Sequence, residues 1–140
     1  MATEQRYFDC FATIGPRQKM TAGERYTLDH LLEAMDRCGI DWALAASSLA
    51  VHYDAMWANR RLLAHLAPHR GRLFPMWTAL PHQTGEFPAP AAFTAEARAG
   101  GVRAVRLYPR THGYSLEPET LGPLMKALAR ARLPVFLHRD

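Results

Sequence analysis

The sequence predicts an α/β fold built on a parallel sheet of about five strands, with about four helices as crossovers. Three observations carry this expectation. Short apolar runs alternate with stretches of helical periodicity, in the order β-α-β-α-β-α-β-α-β. Each strand-helix unit takes about thirty residues, long enough for a helical crossover between parallel neighbours. The last run, Pro134–His138, is continuously apolar over Val135, Phe136 and Leu137, as in a strand covered on both faces.

The elements follow in order. Tyr7–Thr13 reads as the first strand. Leu28, Leu31, Leu32 and Met35 recur at i, i+3, i+4, i+7, behind an N-cap at Thr27 and before a C′ glycine at Gly39. Trp42–Ser47 is the second strand. Met56, Leu62, Leu63 and Leu66 mark a second helix that ends near Pro68 and Gly71. Leu73–Leu80 is the third strand, and Phe93 and Ala97 mark a short helix stopped by Gly100 and Gly101. Ala104–Tyr108 is the fourth strand. Leu121, Leu124, Met125 and Leu128 mark the last helix, which Pro134 prevents from continuing. Two loops are long, Gly15–Thr27 and His82–Pro90, and both follow strand ends. Trp42, Trp57 and Trp77 are expected in core or helix–sheet packing.

The 140 residues read as a single unit with no linker, low-complexity segment or domain boundary. A formal charge of +4 comes from dispersed arginines such as Arg37, Arg60, Arg72, Arg98 and Arg103, without a basic run. That argues for a solvated surface and against a nucleic-acid partner. Cys10 and Cys38 make no CxxC pair, and the N-terminus lacks the apolar core of a signal peptide. No run reaches the ~18 apolar residues of a membrane span. The expectation is a cytoplasmic protein with reduced thiols and no membrane partner.

Four of the seven histidines fall near strand ends. His52, His82 and His112 follow strands at a spacing of thirty residues, and His138 sits at the tip of the last strand. The C-terminal strand ends form the ligand face of parallel α/β sheets. His30, His65 and His69 fall on helices and are expected to face solvent. An open doubly wound sheet and a portion of a (β/α)8 barrel both fit. The lack of GxGxxG or a P-loop after the first strand weakens nucleotide binding.

The phrases "YTLDHLLEAMDRCGIDWALAASS", "ANRRLLAHLAPHRGRLFPMWTALP", "AGGVRAVRLYPRTHGYSL" and "LGPLMKALARARLPVFLHRD" together resemble the amidohydrolase-related family of metal-dependent hydrolases and decarboxylases. Its D-x-x-G-I-D, hRgRLhP, G-V-x-A-V-R-L-Y-P and L-P-V-F-L-H phrases stand here in order. The resemblance implies the N-terminal portion of a TIM barrel. Since such a barrel takes about 250 residues, it also implies that the domain at 1–140 is partial and truncated at its C-terminus.

The resemblance further implies a metal site with an HxH pair on strand one and a histidine at the end of strand five. Asp9 matches the aspartate before the pair, but Cys10 and Ala12 occupy the two ligand positions. His138 matches the strand-five histidine. The implied ligands within this chain are therefore His138 and Cys10, with zinc as the implied ion. Cys10 as a small buried hydrophobe and Asp140 as the cap of a following helix are the structural alternatives. His138 and His112 are the candidate catalytic residues. Arg110, His82 and His52 are candidates for binding a small organic substrate, with Arg110 suited to a carboxylate. Arg106 shares the face of Arg110 only if the strand is regular, and a pairing role on the sheet is equally open. The function implied is hydrolysis or decarboxylation of a small organic substrate. The alternative is a degenerate metal-free barrel that binds a ligand or serves as a non-catalytic partner. A homodimer that covers the sheet edges is a further expectation.

Overall fold

A computed structural model describes residues 5–139 of the chain. Asp140, a candidate cap in the sequence, lies outside the described residues. Five strands, β1 Phe8–Ile14, β2 Trp42–Ser47, β3 Leu73–Thr78, β4 Ala104–Leu107 and β5 Val135–Leu137, pair in parallel in chain order. A doubly wound sheet reverses its strand order at a switch point. Here no reversal occurs, so the sheet is wound in one direction, as in the N-terminal part of a TIM barrel.

Helices α1 Leu28–Cys38, α3 Ala55–Leu66, α4 Pro90–Ala99 and α5 Pro118–Ala131 are the four crossovers. The structure adds a four-residue helix, α2 Leu49–His52, where the sequence suggested a loop. The Thr27 side chain accepts from the His30 amide at 3.3 Å, and Gly39 closes α1 with φ 66°. Asp54 caps α3 by accepting from the Trp57 amide at 2.7 Å. Pro90 and Pro118 open α4 and α5, where a missing N–H costs nothing.

Strand periodicity sorts the core into two layers. Ala43, Ala45, Leu73, Trp77, Val105 and Leu107 face the helices, against Met35, Leu62, Phe93, Leu124 and Leu128. Leu44, Ala46, Met76 and Ala104, with Phe74 and Phe136, form a smaller layer drawn from strands alone. That layer is the inner face, and the candidate site lies at its C-terminal edge. Trp77 is fully buried against Phe93. Trp57, expected in packing, is instead exposed beside Tyr53 under the Arg61 guanidinium, because it lies on the outer side of α3. Trp42 is half-buried, with Arg6 over its ring.

The opposite, N-terminal end of the sheet is tied by Arg72. Its Nη1 pairs with Asp36 Oδ1 at 2.6 Å, Nη2 donates to the Ile40 carbonyl at 2.9 Å and Nε to the Asp41 carbonyl at 3.2 Å. Asp41 in turn accepts from the Tyr7 amide at 2.8 Å. The D-x-x-G-I-D and R-G-R-L phrases are thus the two halves of one knot joining the ends of α1 and of the short 3-10 turn Ala67–His69 to β1, β2 and β3. No helix among the described residues is long and apolar enough to cross a membrane.

Candidate active site

The site begins with an irregularity in β1. Asp9 pairs with Ala43 and Ala12 with Ala45, so Cys10 and Phe11 together stand opposite Leu44. Asp9 Oδ1 accepts from the Phe11 amide at 2.8 Å, which holds the extra residue in place. Such a bulge shifts which side chains face inward. Ala12 and Ile14 therefore enter the helix-side core. Phe11 and Thr13 take the inner positions, as their contacts with His138 and Arg106 show. The resemblance placed Cys10 and Ala12 there. Ala12 is instead buried among the helix-side side chains, and Cys10 is exposed and outside any disulfide.

Arg106 stands at the centre. It lies on β4 beside Thr78 of β3 and Phe136 of β5, and is only 1% exposed. Its Nη1 donates to Thr13 Oγ1 at 2.9 Å and to Tyr108 Oη at 3.1 Å, and Nη2 donates to the Ala12 carbonyl at 3.4 Å. Its Cζ lies 3.5 Å from the centroid of the Phe11 ring. All of these partners are neutral. The Nε–H is buried without a hydrogen-bond partner, and no carboxylate among the described residues pairs with the guanidinium. A buried charge left this way is costly unless an anion joins it. Thr78 Oγ1, at the same register on β3, is likewise buried without a partner.

His138 follows β5, with its amide donating to the Leu107 carbonyl at 2.9 Å. Its ring stacks on Phe11 at 5.8 Å and lies 4.9 Å from the ring of Tyr108. Tyr108 also meets His112 edge-on at 5.8 Å. His112 stacks on Tyr114, and its Nε2 is 3.0 Å from the Val51 carbonyl, tying the β4–α5 loop to α2. The structure thus gathers Phe11, Thr13, Arg106, Tyr108 and His138, with His112 at the margin. Arg110 is exposed in the turn after β4, His82 is half-buried after β3 and His52 is exposed at the end of α2. Among the described residues, no hydrogen bond or ring contact joins His82 or His52 to the cluster.

Asn59, buried in α3, holds the tip of β3. Its Nδ2 donates to the Thr78 carbonyl at 2.7 Å and its Oδ1 accepts from the Thr78 amide at 3.0 Å. Tyr114 backs His112, and burial pushes its hydroxyl up to about 12, against a smaller opposing effect of the Tyr108 backbone. Phe11 and Thr13 escaped the sequence reading because the bulge shifts the alternation of β1. Arg106 carried a usable signal, a charge inside the apolar run Ala104–Leu107. A cavity of about 680 Å³ lies between the segment after β1 and α3, lined by Met20, Tyr26, Leu28 and Leu62. None of the inner-face cluster lines it, so the chemistry is placed by the guanidinium and not by this hollow.

An amidohydrolase family model matches residues 16–139, a span that begins just after β1. Three solved structures are similar. The putative 2-pyrone-4,6-dicarboxylic acid hydrolase from Pseudomonas putida has a TM-score of 0.67 at 22% identity, over 96% of this chain and 48% of that one. The probable 2-pyrone-4,6-dicarboxylic acid hydrolase from Acinetobacter baumannii, with citric acid bound, has a TM-score of 0.64 at 14% identity, over 97% and 50%. The 5-carboxyvanillate decarboxylase from Sphingomonas paucimobilis has a TM-score of 0.62 at 14% identity, over 95% and 51%. At these identities the likeness shows the shared fold. The chain spans about half the length of each. No curated protein matches the chain.

Proposed function

We propose, from the premise that the chain belongs to the amidohydrolase family, that it acts as a hydrolase or decarboxylase on a small organic substrate held by a carboxylate on Arg106. One observation carries this reading: a guanidinium buried on the inner face among neutral partners, with a spare N–H donor. A carboxylate would neutralise the charge and take that donor, and charge-assisted bonds of this kind are the strong ones. The names of the similar structures, a dicarboxylic acid hydrolase and a carboxyvanillate decarboxylase, support the same substrate class. They lend nothing to the alternative of a non-catalytic barrel.

His138 is the proton carrier in this reading. Its ring stands at the strand tip, in ring contact with Phe11 and Tyr108. In hydrolysis the imidazole would take a proton from the attacking water. In decarboxylation it would deliver one to the carbon that loses the carboxylate. His112 positions the β4–α5 loop through the Val51 carbonyl. Arg110, His82 and His52 follow β4, β3 and β2, and in this reading they would meet the rest of the substrate.

Amidohydrolases are generally metal-dependent, and zinc was the ion implied by resemblance. The residues present do not fit a β1-held ion: β1 turns a phenyl ring and a threonine inward, and Cys10 is exposed. Among the described residues no three His, Cys, Asp or Glu side chains are placed to share one. The test is calorimetric titration of the chain with isophthalate, a small aromatic dicarboxylate, and with its neutral diamide. Saturable binding of the diacid and none of the diamide is expected. Equal binding of the two would overturn the reading.

A further inference from the structure

We infer that Arg106 is a built-in cation, standing in for the divalent ion that a β1 ligand pair would hold. The inference rests on the carboxylate reading above and says what supplies the positive charge. Strand β1 still positions a cation, but a different one. Its inward Thr13 hydroxyl accepts from Arg106 Nη1 at 2.9 Å, the Ala12 carbonyl accepts from Nη2 at 3.4 Å, and its Phe11 ring lies 3.5 Å beneath Cζ. Tyr108 Oη fixes the guanidinium from the β4 side at 3.1 Å. The same phenyl ring covers one face of the His138 imidazole, so guanidinium and imidazole share a single aromatic wall.

Charge decides between the two cations. Arg106 brings a guanidinium to this face, it is buried, and its partners among the described residues are all neutral. A divalent ion seated beside the same ring would meet an unneutralised positive charge in a low-dielectric setting. A carboxylate at that place meets attraction instead, and the free Nε–H gives it a directed bond. A guanidinium has no vacant coordination position. It can hold a carboxylate and stabilise a developing oxyanion, but it cannot ionise a bound water as zinc does. Proton transfer then falls to a side chain, which on this face is His138.

The experiment uses the full chain, stripped with a chelator and dialysed into metal-free buffer, with isophthalate as the probe. Binding should be the same in stripped protein and after addition of zinc. Arg106→Gln should weaken it on the order of tenfold to a hundredfold, the range for loss of charged hydrogen bonds, and Arg106→Lys should fall between. Thr13→Val, checked for fold by circular dichroism, keeps the charge but frees the guanidinium and should weaken binding severalfold. It preserves the test if Arg106→Gln does not fold, and wild-type affinity in Thr13→Val would count against the inference. Zinc in equilibrium dialysis should show no component that His138→Ala removes. Binding that appears only with zinc and is lost in His138→Ala would overturn the built-in cation and leave the carboxylate reading standing. No binding with or without zinc would overturn both.

Discussion

Asn59 is a polar residue in the middle of α3, 1% exposed, and its amide satisfies both backbone groups of Thr78. No other side chain could do this with the same reach, since the task needs one donor and one acceptor on a planar group. Asn59→Leu leaves two buried backbone groups unpaired, each with a desolvation cost of ~1–3 kcal/mol. The expected loss is about 2–3 kcal/mol in urea denaturation, together with weaker isophthalate binding because Thr78 stands beside Arg106. A loss below about 0.5 kcal/mol would show that the clamp is idle. Tyr114 gives a pH signature of its own. Its folded pKa is about 12, above the ordinary 10.0. The group therefore favours the folded state fully below pH 10 and loses that contribution as pH rises towards 12, because the unfolded chain ionises first. Allowing for partial exposure, the loss is on the order of 1–2 kcal/mol. Tyr114→Phe should flatten the alkaline limb of the stability curve, and an unchanged limb would assign it to another group. These residues differ in how far the sequence exposes them. Asn59 was visible as part of a family phrase, but its role depends on a partner nineteen positions away. Arg106 was visible as a charge in an apolar strand. Its buried, anion-free state depends on Thr13, ninety-three positions away.

At the scale of elements, helices were the most legible parts, because caps and periodicity are local. Thr27, Gly39 and the Gly100 stop all act within a few residues of the ends they define. Strand β1 was legible as a strand but not in its facing. A hydrogen bond from the Phe11 amide to Asp9 accompanies the extra residue, and beyond it Phe11 and Thr13 face inward while Ala12 enters the helix-side core. Periodicity carries no mark of that bond, and the metal-ligand reading of Cys10 came from the resemblance, which sets two ligand positions two residues apart on a regular strand. Helix α2 went unseen for a similar reason, since four residues are too few to show a period. Element contacts also separate the structural arginines from the functional one. Arg60 meets Glu96 through two bonds of 2.6 and 3.0 Å and links α3 to α4. The Glu96 carboxyl is held below its ordinary range by that hydrogen-bonded arginine, so the pair contributes above the unfolded carboxyl pKa and fades as pH falls through the folded one. Arg72 binds two carbonyls and a carboxylate at the far end of the sheet. Arg72→Ala should cost about 1–2 kcal/mol in thermal or urea unfolding without changing isophthalate affinity. Arg72→Lys should recover little, since one ammonium cannot reproduce the fork. A change in affinity would mean that the two ends of the sheet are coupled.

The whole molecule is a one-way sheet with a helix-covered outer layer and an inner layer made by strands alone. Its parallel pairing was readable from the repeat length and strand character. The barrel rather than the doubly wound form follows from the strand order β1-β2-β3-β4-β5, which no local pattern states. This layout sets an order of local stability. Ala43–Ala46 of β2 and Met76–Thr78 of β3 are buried and flanked by strands on both sides. In β5, Val135 and Phe136 are half-buried and Leu137 is 47% exposed, and the strand pairs only with β4 among the described residues. Amide exchange should therefore be slowest in β2 and β3 and fastest in β5, since opening free energy follows buried apolar contact and paired backbone. The candidate site bridges the slow and fast ends: Thr13 lies on β1, Arg106 on β4, and His138 just past β5. An anion bound to Arg106 next to His138 binds only the closed form of this face, and so stabilises it by mass action. Isophthalate at saturation should slow exchange at Leu137 and His138 more than at Ala43–Ala46, whose protection is already governed by global unfolding. The protection should vanish in Arg106→Gln. If isophthalate slows exchange uniformly, its site is not at the β1–β4–β5 junction. If Arg106→Gln keeps the protection at β5, the anion sits on Arg110 and His82, and the buried guanidinium is structural.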